Sequence, residues 1–320
     1  MSAKNPRVTI GMPVFNGEIY VLQALESIVD QTYTDFELLI SDNASTDGTE
    51  RICRAYAARD PRIRYYRNES NLGAVANFNR VFEFARGEYF KWAAHDDVLT
   101  PTYLEKTVAA LDADPGAVLC QSLVRIIDEK GKELAIYDSK LKGTDSLRPS
   151  ARFAPVILIY HLCAEVLGLI RAAAMRRTAL LARYHGGDRA LQAELALLGR
   201  FIQIHEPLFM QREHASRASR ATRAADPSFY EGKQIRRIAF FYGLLYRDYL
   251  RAVRKHVPYS RERMRCYWHL LRWWGRNWNL MRMAANMMLF VFPGMLVFVE
   301  KARNKLTRSH ILKVASWCDR

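Results

Sequence analysis

Two adjacent carboxylates, Asp96 and Asp97, stand between an apolar run, "GEYFKW", and a segment with helical spacing, "PTYLEK". The apolar run predicts a strand, and ligands of α/β proteins are usually held where strands end. A hard divalent cation such as Mg²⁺ or Mn²⁺ takes few carboxylates together with phosphate oxygens and water. The pair therefore fits a metal site, although a helix N-cap before Pro101 or a solvated turn would use the same residues.

Two further apolar runs end in polar turns, "PVFNG" and "SDNASTDGT". In the second turn, Asp42 could accept hydrogen bonds from a base or a ribose, or it could only close a local Asx turn. Helices that begin near Asn16 and near Asp47 would present free backbone N–H groups, which favour anions. The two turns could therefore hold a base or ribose and an anion, or they could be ordinary turns closed by local bonds.

A third group of polar residues lies later in the chain. Asp188 follows a Gly-Gly turn and opens an amphipathic helix, where a carboxylate could act as a base or simply match the helix dipole. Arg212 and His214 lie in a basic loop, "PLFMQREHASRAS", which could neutralise a diphosphate or be solvated.

Strand-like and helical patterns alternate from Arg7 to about Asp128. This alternation predicts an α/β fold with a mainly parallel sheet, so the strand ends should gather at one edge. The predicted strands are 8–14, 36–41, 63–67, 88–94 and 117–127, with helices between them. No GxGxxG follows the first strand and no GxxxxGK[ST] occurs, which argues against a dinucleotide-binding Rossmann domain and a P-loop. An apolar segment at 152–181 has helical spacing and is expected to cover the sheet.

The net charge of +15 is uneven. Residues 1–200 hold 25 Lys and Arg against 25 Asp and Glu, whereas residues 201–320 hold 23 against 8. Five of the six tryptophans also lie in the C-terminal part: Trp268, Trp273, Trp274, Trp278 and Trp317. The five cysteines are widely spaced without CxxC, which fits a reducing cytosol, and the first residues predict no secretory signal.

This basic, aromatic C-terminal region predicts long helices that meet an anionic surface. Residues 283–299 are apolar but contain Asn286 and Pro293, which suits an interfacial or re-entrant segment better than a spanning helix. Arginine and tryptophan at a membrane surface would meet lipid phosphates and headgroups. The alternatives are an ordinary helical domain whose tryptophans are core, a nucleic-acid surface, or pairing with another copy of the chain.

The order of these motifs over roughly residues 7–220 resembles the inverting glycosyltransferases of family 2, which have the GT-A fold and include bacterial polysaccharide-type sugar transferases. The resemblance implies a GT-A domain over 1–225, a Rossmann-like, mainly parallel sheet flanked by helices. Its nucleotide-binding half would be 1–128 and its acceptor-side half 129–225. A helical basic region, 226–320, would follow.

The resemblance also implies donor-site residues. The base would be lined by Pro13, Val14, Phe15 and Asn16. Asp42 would hydrogen-bond the edge of the base, a pattern commonest with uridine. Asn71 and Gly73 match the family's "N.G", which approaches the sugar nucleotide, and Gly87 precedes the metal-site strand.

The family's Asp-x-Asp metal motif has Ala94 at its first position here, His95 in the middle and Asp96 as the metal-binding aspartate, with Asp97 behind it. His95 or Asp97 would compensate for the missing acid, or the dependence on metal would be weak. Asp188 stands at the position of the catalytic base, with Gly187 where the family usually has an additional acid. Arg212 and His214 match a basic "R.H" that helps organise the diphosphate.

The expected function is transfer of a sugar, with inversion, from a nucleotide-diphosphate sugar, most often a UDP-sugar, to a hydroxyl of a glycan or lipid-linked saccharide. The cofactor would be Mg²⁺ or Mn²⁺. We expect a cytoplasmic protein, peripheral on the cytoplasmic face of the cell membrane, with no nucleic-acid partner and with homo-oligomers left open. The rival interpretations are a nucleic-acid-binding protein and an inactive scaffold, the latter favoured by Ala94 and Gly187. A nucleotidyltransferase should have a Gly- and Arg-rich loop near the N-terminus, which the sequence lacks.

Overall fold

A computed structural model of the chain describes residues 5–214, 241–276 and 278–291. The described part is a mixed α/β structure built on one twisted sheet. Its strands, in chain order, are β1 (Val8–Val14), β2 (Phe36–Asp42), β3 (Ile63–Arg67), β4 (Tyr89–Trp92), β5 (Val98–Leu99), β6 (Ala117–Ile127), β7 (Glu133–Tyr137), β8 (Leu169–Arg171) and β9 (Arg200–Arg212).

Helices lie between the strands and after them. They are α1 (Val21–Val29), α2 (Thr49–Arg59), α3 (Ala74–Glu83), α4 (Tyr103–Ala113), α5 (Pro149–Leu158), α6 (Ala172–Met175), α7 (Gly187–Leu198), α8 (Phe241–His256), α9 (Arg261–Gly275) and α10 (Asn279–Val291). A short 3-10 helix spans Ala164–Leu167.

The strand order is β3-β2-β1-β4-β8-β6-β9-β5, with β7 paired to β6. The first half is parallel, as the alternating pattern predicts, because β1 pairs in parallel with both β2 and β4 and β2 with β3. In the second half, β8 enters antiparallel between β4 and β6, while β9 runs parallel to β6. A strand that is followed by a helix usually leads into a parallel strand. This alternation of strands and helices ends after β6, so the second half of the sheet is mixed.

The register of the first three strands sets up the site. Every residue of β1 and β2 is buried, which is typical of strands covered on both faces. Val14 pairs with Asp42, and Asp42 pairs with Arg67, so the last residues of three strands form one row across the sheet. The turns that follow β1 and β2 therefore leave the sheet side by side.

The apolar segment 152–181 is not one helical region, so its helical spacing gave a wrong prediction. Helix α5 stops at Leu158, and the chain then passes through the 3-10 helix, β8 and the short α6. Cys163 takes a left-handed backbone conformation with φ of 58°. A β-carbon at Gly168 would lie 2.7 Å from the backbone O of Cys120, so the chain passes too close to β6 to remain helical there.

The described C-terminal helices pack onto the domain as part of its core. Leu245 and Tyr249 of α8, and Cys266, Leu270 and Trp273 of α9, join the apolar cluster that holds Phe153 of α5 and Leu191 of α7. The tryptophans divide, since Trp273 is buried whereas Trp268 and Trp278 are exposed, and Trp317 lies outside the described residues. Within the described ranges, no helix combines the length and the apolar character needed to span a membrane. Residues 292–299 of the predicted interfacial segment lie outside those ranges.

Candidate active site

The turns after β1 and β2 are bound to each other by hydrogen bonds from backbone to side chain. The backbone N–H of Asn16 donates to Ser45 Oγ at 2.9 Å, that of Gly17 to Thr49 Oγ1 at 2.8 Å, and that of Glu18 to Asp47 Oδ2 at 3.1 Å. The expectation of free N–H groups near Asn16 is therefore wrong. Helix α1 begins only at Val21, and the N–H groups expected to bind an anion instead fasten the two turns.

Asp42 is fully buried at the end of β2 and is held by three donors. Its Oδ1 accepts from the Ser45 N–H at 2.8 Å, and its Oδ2 accepts from Tyr65 Oη at 2.6 Å and from Arg67 Nη1 at 2.9 Å. Burial raises the pKa of Tyr65, and the hydrogen bond to Asp42 raises it further. The carboxylate is thus fixed in position beside Val14, with one lone pair, on Oδ1, left for a ligand donor.

A network of asparagines, buried except for the exposed Asn71, joins β2 to the start of α3. Asn43 Nδ2 donates to Asn71 Oδ1 at 2.8 Å, and the Gly73 N–H donates to the same oxygen at 2.8 Å. Asn68 donates to both Asn43 and Asn77. The sequence analysis singled out Asn71 and Gly73 but missed Asn68 and Asn77, whose amides fix the loop that carries them.

Phe15 and His95 lie on the open side of these turns. Phe15 is 42% exposed, and the backbone of Asn16 beside it is left-handed, with φ of 50°. A β-carbon at Gly17 would lie 2.5 Å from His95 Cδ2, so the imidazole packs directly on the turn after β1. This contact joins the predicted nucleotide side to the two aspartates after β4.

The aspartates after β4 meet the end of β9, as the order of the motifs suggested. His214 Nε2 lies 2.9 Å from Asp96 Oδ2, and both side chains are almost buried. The backbone N–H of Arg212 donates to Asp97 Oδ1 at 2.9 Å. Residues separated by more than a hundred positions in the chain thus form one polar cluster.

Arg212 acts on this cluster as a structural clamp. Its Nε donates to the backbone O of Asp96 at 3.0 Å, and its Nη1 donates to the backbone O of Asp128 and of Glu129, both at 3.2 Å. Its Nη2 donates to Gln23 Oε1 at 2.7 Å, and the guanidinium lies 4.9 Å from the centre of the Tyr20 ring. Most of its donors therefore hold protein oxygens, whereas the predicted contact with a diphosphate stays a prediction.

The donor set fits a divalent cation whose other ligands come from the substrate. Asp96 and His214 offer a carboxylate and an imidazole side by side, with Asp97 next along the chain. Among the residues that the structure describes, no three His, Cys, Asp or Glu side chains form a cluster able to hold a metal by themselves. A cation bound mainly by phosphate oxygens and one or two carboxylates needs no larger protein cage.

Lys91, on β4, is a buried lysine that the sequence analysis missed. Its ammonium nitrogen donates to the backbone O of Leu167 and lies 4.6 Å from the centre of the Tyr103 ring. Burial lowers the pKa of Lys91 to about 7, although the nearby Asp97 carboxylate opposes this shift. A lysine inside an apolar strand is expected at the surface, so no sequence signal marks it.

Asp188 lies in different surroundings. It is half-buried in the first turn of α7, where its Oδ1 accepts from the Arg189 N–H at 2.8 Å. Burial raises the pKa of the Cys163 thiol well above its usual value, and the neighbouring Asp188 carboxylate adds to this shift. A β-carbon at Gly187 would lie 2.9 Å from the backbone N of Ala182 and closer still to its O. The turn therefore has no room for the acid that the family usually places there.

A buried polar cluster supports the turn that faces Asp188. Glu165 Oε2 lies 3.2 Å from His161 Nδ1 and accepts from Gln192 Nε2 at 3.2 Å. Burial alone would raise the pKa of Glu165, but the His161 hydrogen bond lowers it below the usual value. Arg189 Nη2 donates to the backbone O of His161 at 2.6 Å. The sequence analysis missed this cluster because its members are spread over three elements.

Comparison with known proteins places these features in a family. A family model described as glycosyl transferase family 2 matches residues 9–165. EpsE of Bacillus subtilis, named as a glycosyltransferase, is 35% identical over 127 residues, which cover 39% of this chain and 46% of EpsE. An uncharacterized glycosyltransferase of Methanocaldococcus jannaschii is 35% identical over 131 residues, or 40% of this chain and 45% of that protein. The chain thus spans less than half the length of these relatives.

Solved structures share the fold at low sequence identity. Staphylococcus aureus TarS 1–349 in complex with UDP has a TM-score of 0.61 and 15% identity, covering 85% of this chain and 72% of TarS 1–349. The mannosyltransferase PcManGT of Pyrobaculum calidifontis, in complex with GDP-Man and Mn²⁺, has a TM-score of 0.52 and 16% identity, covering 99% and 86%. These likenesses confirm the predicted GT-A fold, and residues 9–165 match the model of the predicted family.

Proposed function

The chain carries a glycosyltransferase family 2 domain at residues 9–165, and from this premise we propose that it transfers a sugar from a nucleotide-diphosphate sugar to an acceptor hydroxyl, with inversion. The ends of β1, β4 and β9 meet, and this arrangement supports the proposal. His95 packs on Gly17, and Arg212 links Asp96 to Gln23 of α1. The nucleotide side and the carboxylate side thus border one site.

We propose UDP as the nucleotide. The exposed Phe15 ring offers a surface for a base, and the fixed Asp42 carboxylate accepts a hydrogen bond from an N–H on the edge of the base. Val14, Pro13 and Asn16 form the rest of this wall. Asn71 and Gly73, held by Asn43, stand where the ribose and the sugar pass. The complex of TarS with UDP supports this choice by analogy of fold.

Asp96, with His214 beside it, would hold Mg²⁺ or Mn²⁺ against the diphosphate, and Asp97 would support them through its bond to the backbone of Arg212. When bound, the cation stabilises the negative charge that grows on the leaving phosphate. The complex of PcManGT with GDP-Man and Mn²⁺ supports a cation in this fold.

The reaction that we propose is a single displacement with Asp188 as general base. Asp188 Oδ2 takes the proton of the acceptor hydroxyl while that oxygen forms a bond to the anomeric carbon. The bond from this carbon to the diphosphate oxygen breaks, and its electron pair stays on the diphosphate. Asp188 suits this role because it is half-exposed, and its polar neighbours are the backbone N–H of Arg189 in its own helix and the Cys163 thiol. The acceptor would be a glycan or a lipid-linked saccharide.

The product of a UDP-sugar reaction tests the proposal. Full-length protein with Mn²⁺ should release UDP from one UDP-sugar in the presence of a saccharide acceptor, and proton NMR of the new linkage should show the anomeric configuration opposite to that of the donor. GDP-, TDP- and CDP-sugars serve as matched controls. Retention of configuration would contradict the single displacement, and turnover of only a non-uridine donor would contradict the assignment of the base.

A further inference from the structure

Among the residues that the structure describes, helix α9 carries an exposed face made of two adjacent stripes. Met264, Trp268 and Leu271 follow each other at spacings of four and three residues, and they are 54%, 61% and 62% exposed. Residues at these spacings share one side of a helix. The exposed arginines Arg261, Arg265 and Arg272 form the neighbouring stripe. Large apolar side chains in a continuous exposed row usually mark an interaction surface.

The opposite face of α9 fixes this surface to the catalytic domain. Cys266, Leu270 and Trp273 are buried in the core cluster that includes α5 and α7. Glu262 accepts from the hydroxyl of Ser150, at the start of α5, at 2.7 Å. The exposed face is therefore held rigidly relative to the domain, so its apolar row is not exposed through fraying.

We infer that this face of α9 docks onto an anionic lipid bilayer surface. Residues 241–291 hold ten Lys and Arg against two Asp and Glu, and Glu262 is itself paired with Arg265. A helix with a basic stripe beside Trp, Leu and Met is suited to lie in the headgroup layer, with arginines on lipid phosphates and the apolar row inserted. Anionic lipids of this kind face the cytoplasm, which agrees with the cytoplasmic location expected from the sequence.

Two other occupants fit the charge pattern less well. In a symmetric contact between two copies, the arginine stripes would face each other without carboxylates to pair them. A nucleic acid would meet the arginines, but Met264 and Leu271 give it neither a charge nor an aromatic face on which a base can stack. The bilayer alone uses both stripes. This inference goes beyond the transferase activity and does not depend on it.

Flotation of the full-length chain with vesicles tests the inference. Wild type should float with vesicles of phosphatidylcholine and phosphatidylglycerol and stay behind with phosphatidylcholine alone. Changing Trp268→Glu together with Leu271→Glu should weaken the partition about tenfold or more, because apolar area is lost and negative charge is added. Changing Arg261→Gln together with Arg272→Gln should lower the membrane partition about fivefold per arginine. Added salt should reduce the difference in partition between this variant and wild type.

Leu134→Glu is the matched control, since Leu134 is an equally exposed leucine, 58%, on β7. It should float as wild type does. Circular dichroism and thermal unfolding that match wild type in every variant would show that the domain is folded, so a loss of flotation reports on this face of α9 whether or not the transferase proposal holds. The inference is overturned if wild type does not float, or if the Trp268 and Leu271 changes have no effect. A stable dimer, or oligonucleotide binding, that these changes abolish while flotation persists would also overturn it.

Discussion

The two aspartates at the centre of the proposed reaction, Asp42 and Asp188, differ in how the protein holds them. Asp42 is fully buried and accepts from Ser45, Tyr65 and Arg67. Asp188 is half-exposed and accepts from the backbone N–H of Arg189 in its own helix, with the Cys163 thiol beside it. A carboxylate that must recognise a ligand gains from fixed geometry, whereas one that must accept a proton gains from access and few competing donors. Asp42 is therefore suited to recognise a ligand, and Asp188 is suited to accept a proton.

The largest effect is expected at Asp188. Asp188→Asn keeps an oxygen for the Arg189 N–H but removes the base, so kcat should fall about 1,000-fold. The Kd for UDP should stay within about twofold, because the change leaves the donor site intact. Steady-state kinetics and calorimetry measure the two quantities. Glu133→Gln, on the exposed β7, is the control, and a kcat for Asp188→Asn equal to that of this control would remove Asp188 from the mechanism.

Asp42 should show the opposite pattern, with loss of stability as well as of binding. Asp42→Ala leaves Tyr65 and Arg67 without their buried acceptor, so the free energy of unfolding should fall by about 3 kcal/mol. UDP affinity should fall at least about tenfold. Urea unfolding and calorimetry check both.

Asp60→Ala is the matched control for Asp42→Ala, because Asp60 pairs with Arg62 nearer the surface. It should cost less than about 1 kcal/mol. If Asp42→Ala and Asp60→Ala had the same free energy of unfolding, the buried hydrogen bonds of Asp42 would stabilise the fold no more than the ion pair of Asp60 does.

Gly187 tests the crowded turn beside Asp188. Gly187→Ala places a β-carbon against the backbone of Ala182, and we expect a loss of about 2 kcal/mol in the free energy of unfolding. Gly275→Ala, where nothing lies within 4 Å, should change stability little. Thermal unfolding measures both. A Gly187→Ala variant as stable as wild type would show that the turn has room for the missing acid.

Lys91 should control the pH dependence of stability and not donor binding. Because its pKa is lowered to about 7 in the fold from 10.5, the unfolded chain binds more protons than the folded chain between these values. This group therefore makes the free energy of unfolding rise with pH across that window and destabilises the fold most below about pH 7. Lys91→Met should flatten the slope, measured as unfolding at several pH values. An unchanged slope would show that Lys91 keeps its ordinary pKa.

The sequence predicted the regions where local pattern and packing agree. Strands β1, β3 and β6 match the predicted spans because their apolar runs end at polar turns. The family's order of motifs gave Asp96 and His214 roles at the metal and the diphosphate, but their direct contact was not predicted, since no local rule joins residues so far apart. The helical prediction for 152–181 failed because Cys163 takes a left-handed conformation and because the chain at Gly168 passes close to the backbone of β6. Lys91 and Asn77 were missed because polar residues are expected outside.

Calorimetric titration of UDP, with and without Mn²⁺, into wild type and Asp96→Ala is the decisive experiment for the donor site. We expect that UDP binds wild type, that Mn²⁺ tightens binding, and that Asp96→Ala loses the gain from Mn²⁺ while keeping the metal-free affinity. Folded wild type that binds no UDP under either condition, or an Asp96→Ala variant that keeps the full gain from Mn²⁺, would contradict this expectation.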